Sequence, residues 1–143
     1  MPIRPENRAR CPKDWPAISR RIRQRADNHC EECGVRNHQL GGRDSKGQWH
    51  AALPTGTDGL RLTWPEPGTW AWCEGGLHLR IVRIVLTVAH LDHTPENCAD
   101  ENLRAWCQRC HNRYDASKRR AGIAARAFAT RACGDLFAEP DDG

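Results

Sequence analysis

Two Cys-x-x-Cys pairs, one on each side of a long polar stretch, constrain this fold more than any other feature. Cys30 and Cys33 form the first pair, and Cys107 and Cys110 form the second. Two thiolates spaced in this way can reach one ion together, and two such pairs make a four-sulfur site typical of structural zinc. We therefore expect all four cysteines to bind one zinc ion. The fold must then bring residue 30 back beside residue 107.

Length and composition are those of one small soluble domain with a lean core. The chain has 143 residues, of which 38% are hydrophobic and 28% charged. It has no apolar run long enough to span a membrane and no apolar signal segment at its start, so we expect a cytoplasmic protein without membrane contact. Because disulfides are rare in the cytoplasm, we expect zinc, rather than disulfides, to stabilise the small core. The remaining cysteines are expected to be buried or merely tolerated thiols: Cys11, Cys73, Cys98 and Cys133.

Aromatic residues other than tryptophan are scarce. The chain has six Trp but only two Phe and one Tyr, so the tryptophans are expected to supply aromatic packing rather than platforms for base stacking. Four histidines lack neighbours that indicate chemistry, and surface or packing roles are expected for them: His29, His38, His50 and His78.

Positive charge is concentrated in two segments. Residues 1–30 carry eight Lys/Arg against three Asp/Glu, and residues 104–131 carry eight against one. Such segments suit a polyanion such as DNA, although arginine-rich helix faces are often only solvated surface. The candidate DNA contacts are Arg20, Arg21, Arg109, Arg113, Lys118, Arg119 and Arg120.

Hydrophobic patterning predicts an α+β fold. Pro16 opens a helix over about residues 15–27, in which Ile18 and Ile22 share one face. The β-branched run over residues 77–90 predicts one continuous strand, and the Ala- and Arg-rich run from about residue 108 predicts a second helix.

These elements predict a single domain over residues 1–143. Its core lies at about 15–36 and 77–128, and Gly- and Pro-rich residues at about 37–76 form an irregular insertion with short hairpins. An acidic tail follows at 132–143, where Leu136 and Phe137 are expected to dock.

Polar residues cluster between the predicted strand and the second helix. His90 ends the strand, and the loop after it contains Asp92, His93, Asn97 and Asn102. The helix then carries a histidine and an aspartate four residues apart, which project from one face and can chelate a divalent ion: His111 and Asp115.

The segments VAHLDHTPEN and DENLRAWCQRCHNRYD, together with the upstream CEECG knuckle, resemble the HNH endonucleases, in particular small prophage-type members. The resemblance covers about residues 15–36 and 80–120. It implies a small ββα-metal core with a four-cysteine structural zinc site, preceded by a helix. It also implies a metal-dependent endonuclease that nicks or cleaves duplex DNA with low sequence specificity and leaves 5′ phosphate and 3′ hydroxyl ends. Phage packaging or DNA-processing proteins are the partners that this resemblance suggests.

The resemblance also implies roles for individual residues. His90 would be the general base that deprotonates water, and Asn102 would orient it. His111 would bind the catalytic metal, a single Mg²⁺, Mn²⁺, Ni²⁺ or Zn²⁺ ion that offsets charge on the scissile phosphate.

One position departs from the family pattern and leaves alternatives open. Many members have a metal-binding Asp or His before the base, where this chain has Ala89, so Asp92 or Asp115 would take over as ligand. A shifted register would make His93 the base and Asp92 the ligand; we prefer His90 because it ends the apolar strand and its separation from Asn102 fits the family better. The alternative function is a non-catalytic, zinc-stabilised nucleic-acid-binding module.

Overall fold

The computed structural model describes residues 9–135, with side chains described as far as Arg131. In chain order the elements are α1 (Trp15–Arg25), β1 (Leu40–Arg43), β2 (Trp49–Ala51), β3 (Gly56–Asp58), β4 (Arg61–Thr63), β5 (Trp70–Cys73), β6 (Leu77–Arg80), β7 (Val82–Arg83), β8 (Thr87–His90), β9 (Leu103–Trp106) and α2 (Gln108–Asp135). Short 3-10 turns occupy Glu74–Gly76 and Asp100–Asn102. The chain divides into two compact units, one ending at Cys110 and the other beginning at His111.

The strands form small antiparallel sheets, so the predicted α+β class is confirmed. Within residues 9–135 the sheets are β2-β1-β7, β3-β4, β5-β6 and β8-β9. The segment predicted as an insertion therefore contains the hairpins expected of it. One of them crosses the expected boundary at residue 77, because β6 pairs with β5 along its whole length.

Helix α1 forms where the sequence predicts it. Ile18 and Ile22, one turn apart, are buried, and Pro16 lies in the first turn, where its missing N–H has no helical acceptor to lose. The helix ends at Arg25, two residues before the expected end. Asp27 and Asn28 then take positive φ angles of 50° and 53°, which reverse the chain toward Cys30.

The main core of the first unit lies between α1 and the β8-β9 hairpin. The buried isoleucines of α1 face Ala89 of β8 and Leu103 and Ala105 of β9. Three of the four cysteines expected to bind zinc belong to the same buried cluster: Cys30, Cys107 and Cys110. The cysteine site and the polar end of β8 are therefore anchored in one core.

The prediction of one continuous strand over residues 77–90 is wrong. The run is divided into β6, β7 and β8, which pair with three different partners: β5, β1 and β9. Ile81 packs in a second small core with Ala52 and Cys73, whereas Ile84 and Leu86 pack in the main core. The run is apolar because it passes from one core to the other, and each change of partner interrupts the strand.

Only three of the six tryptophans pack against the core, as expected of them. Trp106 is buried, and Trp15 and Trp49 are half-buried against the main core. Trp64, Trp70 and Trp72 are exposed instead. Trp70 and Trp72 lie on the exposed face of β5, and Trp64 directly follows β4 of the exposed β3-β4 hairpin.

Helix α2 confirms the helix predicted from about residue 108, and its backbone continues to Asp135, beyond the expected start of the tail at 132. The predicted docking of Leu136 and Phe137 lies outside the described residues. In residues 9–135 no helix is both long and apolar enough to cross a membrane.

Candidate functional site

The two cysteine pairs come together in the first unit. Cys30 and Cys33 lie on a tight turn after α1, in which Gly34 N–H donates to the Cys30 carbonyl at 2.8 Å and Gly34 has a φ of 73°, a conformation that favours glycine. Cys107 follows β9 directly, and Cys110 lies in the first turn of α2. A turn and a strand-to-helix junction thus present two thiols each to one point.

The four sulfur atoms have the spacing that a tetrahedral metal requires. All four Sγ atoms lie within 4.8 Å of one another, and Cys33 Sγ is 3.7 Å from Cys107 Sγ. Four bonds of about 2.3 Å to zinc in a tetrahedron place neighbouring sulfurs about 3.8 Å apart. The four cysteines could therefore hold a structural metal ion such as zinc, as the spacing of the pairs predicts.

Hydrogen bonds and burial set the protonation of this cluster. A hydrogen bond to Cys107 and burial raise the pKa of Cys30 to about 12, and burial followed by a hydrogen bond to Cys33 raises the pKa of Cys110 to about 12. The hydrogen bond from Cys30 lowers the pKa of Cys107. Metal binding must displace the thiol protons, so affinity will rise with pH.

Arg43 supplies a cation beside the cluster. Its Nη2 lies 3.6 Å from the Sγ atoms of both Cys33 and Cys107, and its guanidinium stacks 5.4 Å from the Trp49 ring centroid. Four thiolates around a divalent ion leave a net negative charge, which a neighbouring guanidinium stabilises.

His90 lies at the end of β8 in a restricted environment. Its imidazole stacks on Trp15 of α1, with ring centroids 5.0 Å apart and 18° between the planes, and its Nε2 is 3.7 Å from Cys98 Sγ. Burial lowers the pKa of His90 below its usual value, against the smaller opposing effect of Asp92. The ring is therefore neutral at pH 7 and can accept a proton.

Asn102 and Asp92 organise the loop that follows His90. Asn102 Nδ2 donates to Asp92 Oδ1 at 2.9 Å and to the Asn97 carbonyl at 2.8 Å, while Asn102 Oδ1 accepts the Asp92 N–H at 3.1 Å. Asp92 also accepts from Asn97 Nδ2 and Thr94 N–H, both at 2.8 Å. Hydrogen bonds from Asn97, Thr94 and Asn102 lower the pKa of Asp92 to about 2.

His93, the alternative base, lies in the same loop. Its N–H donates to the His90 carbonyl at 3.2 Å, and its backbone has a φ of 57°. The structure thus brings together His90, Asp92, His93 and Asn102 at one end of β8, as the sequence predicts.

His111 and Asp115 belong to the second unit, where they form a pair within α2. His111 Nε2 lies 3.2 Å from Asp115 Oδ2, and both side chains are largely shielded from solvent, with 18% and 24% exposed. The expected projection from one face is therefore observed. An imidazole nitrogen and a carboxylate oxygen at this distance can bind the same divalent ion.

The candidate DNA-binding residues differ in how strongly they are engaged with the protein. Arg20 is exposed, whereas Arg21 donates to Asp100 Oδ1 at 2.6 Å. Arg109 donates to the Gly47 carbonyl at 3.1 Å, so it also holds the β1-β2 turn. The remaining candidates are exposed on α2: Arg113, Lys118, Arg119 and Arg120.

Several contacts were not expected from the sequence. His50 Nε2 lies 3.1 Å from Asp44 Oδ2, and the pKa of Asp44 is lowered by this contact and by the N–H groups of Gln48 and Lys46. The Asp-Ser-Lys-Gly run is a turn signal that could have placed Asp44 opposite a partner six residues later. The stacking of Trp15 on His90 has no such local signal, because it joins distant parts of the chain.

Comparisons of the chain with family models, curated proteins and solved structures find no match.

Proposed function

We propose that this chain is a metal-dependent DNA endonuclease of the HNH type. The observation that carries the proposal is the loop after β8, where Asn102 bonds the backbone and side chain of Asp92 two residues beyond His90. The family resemblance implies this arrangement, in which an asparagine fixes, by hydrogen bonds, the loop that follows a histidine at the end of a strand. The order β8, β9 and α2 is also that of a ββα-metal core.

His90 is the general base in this proposal. Its depressed pKa keeps the imidazole neutral at pH 7, and the stack on Trp15 limits the orientations of the ring. A neutral, oriented imidazole can remove a proton from the attacking water. Asn102 acts through the loop backbone, so it is a positioning residue.

His111 would bind the catalytic metal together with Asp115. Hydrogen bonds already occupy the Asp92 carboxylate, which favours Asp115 as the substitute for the ligand that Ala89 does not provide. The divalent ion would stabilise charge on the scissile phosphate and the leaving 3′ oxygen. The candidate ions are Mg²⁺ and Mn²⁺, which prefer the carboxylate, and Ni²⁺ and Zn²⁺, which also suit the imidazole.

DNA is the proposed partner, held by phosphate contacts with little base readout. The exposed basic residues of α1 and α2 supply charge for such contacts. A phage packaging or DNA-processing setting, in the cytoplasm of a bacterial cell, fits this activity.

One observation favours the alternative, a zinc-stabilised nucleic-acid-binding module without catalysis. Trp15 covers one face of His90, and the Cys98 thiol stands at Nε2, which is the environment of a packed structural histidine. In that case the four-cysteine cluster and the basic residues would carry the whole function.

A plasmid-nicking assay separates the two functions. Zinc-loaded protein is incubated with supercoiled plasmid, with and without each of Mg²⁺, Mn²⁺, Ni²⁺ and Zn²⁺. The endonuclease proposal predicts metal-dependent conversion to nicked and linear forms, which His111→Ala abolishes while DNA binding and the four-cysteine zinc persist. Binding without cleavage under all four metals would instead establish the binding module.

A further inference from the structure

The β5-β6 hairpin presents an exposed aromatic face that nothing in the proposed catalytic function uses. Trp70 pairs with Arg80 and Trp72 with His78 across the two strands. Side chains opposite each other, or two apart on a strand, share one face of a sheet. Trp70 is 63% exposed and Trp72 59% exposed, whereas Cys73 on the other face is buried.

The aromatic rings on this face contact one another but stay exposed to solvent. The His78 ring lies 6.0 Å from Trp70, with 26° between the planes, and 5.1 Å from Trp72, with 55° between the planes. Contact with one imidazole restricts both indoles while leaving much of their surface to solvent. Restricted, exposed indoles lose little conformational entropy when a planar ligand stacks on them.

Arg80 connects the aromatic face to a positively charged cavity. A cavity of about 330 Å³ is lined by Arg43, Arg80, Arg83 and Arg109, by Cys107 of the four-cysteine cluster and by neighbouring uncharged side chains, but by no Asp or Glu of residues 9–135. Arg43 and Arg109 both donate to the Gly47 carbonyl, at 3.0 and 3.1 Å, so two of the four are held in place. Arg43 already lies beside the four-cysteine cluster, so Arg80 and Arg83 are the arginines that favour an external anion, and the planar guanidinium matches phosphate.

We propose that the β5-β6 hairpin binds a nucleic-acid segment with unpaired bases. Bases stack on Trp70 and Trp72, and a backbone phosphate enters the arginine cavity. Exposed indoles beside a cationic groove are the combination that binds single strands without sequence preference. An apolar protein partner would leave Arg80 and Arg83 without counter-charge, so charge complementarity favours the polyanion.

The inference rests on the proposed function for its biological context, and it deepens that function by naming the substrate class. Bases within a duplex are covered by their neighbours, so stacking on a tryptophan requires unpaired bases. The segment predicted as an irregular insertion would therefore direct the protein to DNA that contains a single-stranded region.

Fluorescence anisotropy of a labelled 15-nucleotide oligothymidine, without added divalent metal, tests the inference directly. Trp70→Ala and Trp72→Ala should each weaken binding about tenfold, in keeping with the usual strength of base–aromatic stacking. Trp64→Ala is the matched control, because Trp64 is 49% exposed but lies outside the hairpin, and it should change affinity less than twofold. Affinity for a fully paired duplex of the same length should change little in all three variants.

Arg80→Ala should weaken binding of both the single strand and the duplex, because it removes a phosphate contact. Circular dichroism and zinc content check that each variant is folded, and Trp70→Phe and Trp72→Phe should retain part of the affinity. Unchanged single-strand binding in the Trp70→Ala/Trp72→Ala protein would overturn the inference. The inference would also be overturned if this double variant lost self-association, measured by light scattering, but still bound the oligonucleotide. Because binding is measured without cleavage, a protein that stacks on unpaired bases but never nicks DNA refutes only the endonuclease proposal.

Discussion

Asn102 and Asp92 bond each other twice across the loop that follows His90. The Asn102 amide nitrogen donates to the Asp92 carboxylate at 2.9 Å, and the Asn102 amide oxygen accepts the Asp92 N–H at 3.1 Å. This pair closes the loop at the point where β8 ends. The position of the His90 backbone therefore depends on a residue twelve positions later in the sequence.

Asn102→Ala should lower the free energy of unfolding only modestly, because its partners Asp92 and Asn97 are exposed and water can replace the hydrogen bonds that are lost. It should slow nicking without abolishing it, since Asn102 does not transfer the proton. Urea unfolding and initial nicking rates measure the two effects. Asn112→Ala, an exposed asparagine on α2, is the matched control and should change neither. Equal effects from both substitutions would contradict the positioning role.

Zinc removal should unfold the first unit. Zinc binding by zinc-finger peptides contributes about 10–16 kcal/mol, which matches or exceeds the net stability of most domains. Cys33→Ser should therefore abolish tight zinc binding and the cooperative melting transition, whereas Cys11→Ser, outside the cluster, should retain both. Metal analysis by mass spectrometry and thermal melting with and without a chelator measure these outcomes. A melting transition that a chelator leaves unchanged would disprove the zinc assignment.

The sequence predicts the parts of this fold that have local or chemically strict signals. The paired cysteines, helix α1 with Ile18 and Ile22, and the loop residues around Asn102 all lie where their spacing places them. Strand boundaries over residues 77–90 could not be predicted, because an apolar run has the same composition whether it serves one core or two. The contact of Trp15 with His90 likewise depends on tertiary packing between segments far apart in the chain.

Arg20 and Arg21 should contribute unequally to DNA binding. Both are exposed on α1, but Arg21 is paired with Asp100, which offsets part of its charge toward a phosphate. Arg20→Ala should weaken binding to random duplex DNA more than Arg21→Ala does. The slope of log affinity against log salt should fall by about 0.9 for one lost phosphate contact. An affinity that does not vary with salt would contradict the electrostatic account.

As the pH is lowered, the nicking rate should fall only at pH values below the ordinary pKa of histidine. Burial lowers the pKa of His90, so its neutral, basic form persists to a lower pH than that of an exposed imidazole, and activity is lost as the pH falls through this depressed value. The acid limb of the pH–rate profile should therefore have its midpoint below 6.5. Trp15→Ala exposes the ring and should move that midpoint upward. A midpoint above 6.5 in the wild-type protein would argue against His90 as the base.

The most direct test of the central claim compares nicking by His90→Ala and His93→Ala under single-turnover conditions. Both proteins should keep their zinc, their fold and their affinity for DNA, because neither histidine belongs to the four-cysteine cluster. We expect His90→Ala to lose at least about a hundredfold in rate, the usual contribution of a general base, and His93→Ala to stay within a few fold of wild type. Loss of activity in His93→Ala with retention in His90→Ala would move the base to His93, and full activity in both variants would contradict the proposed enzyme.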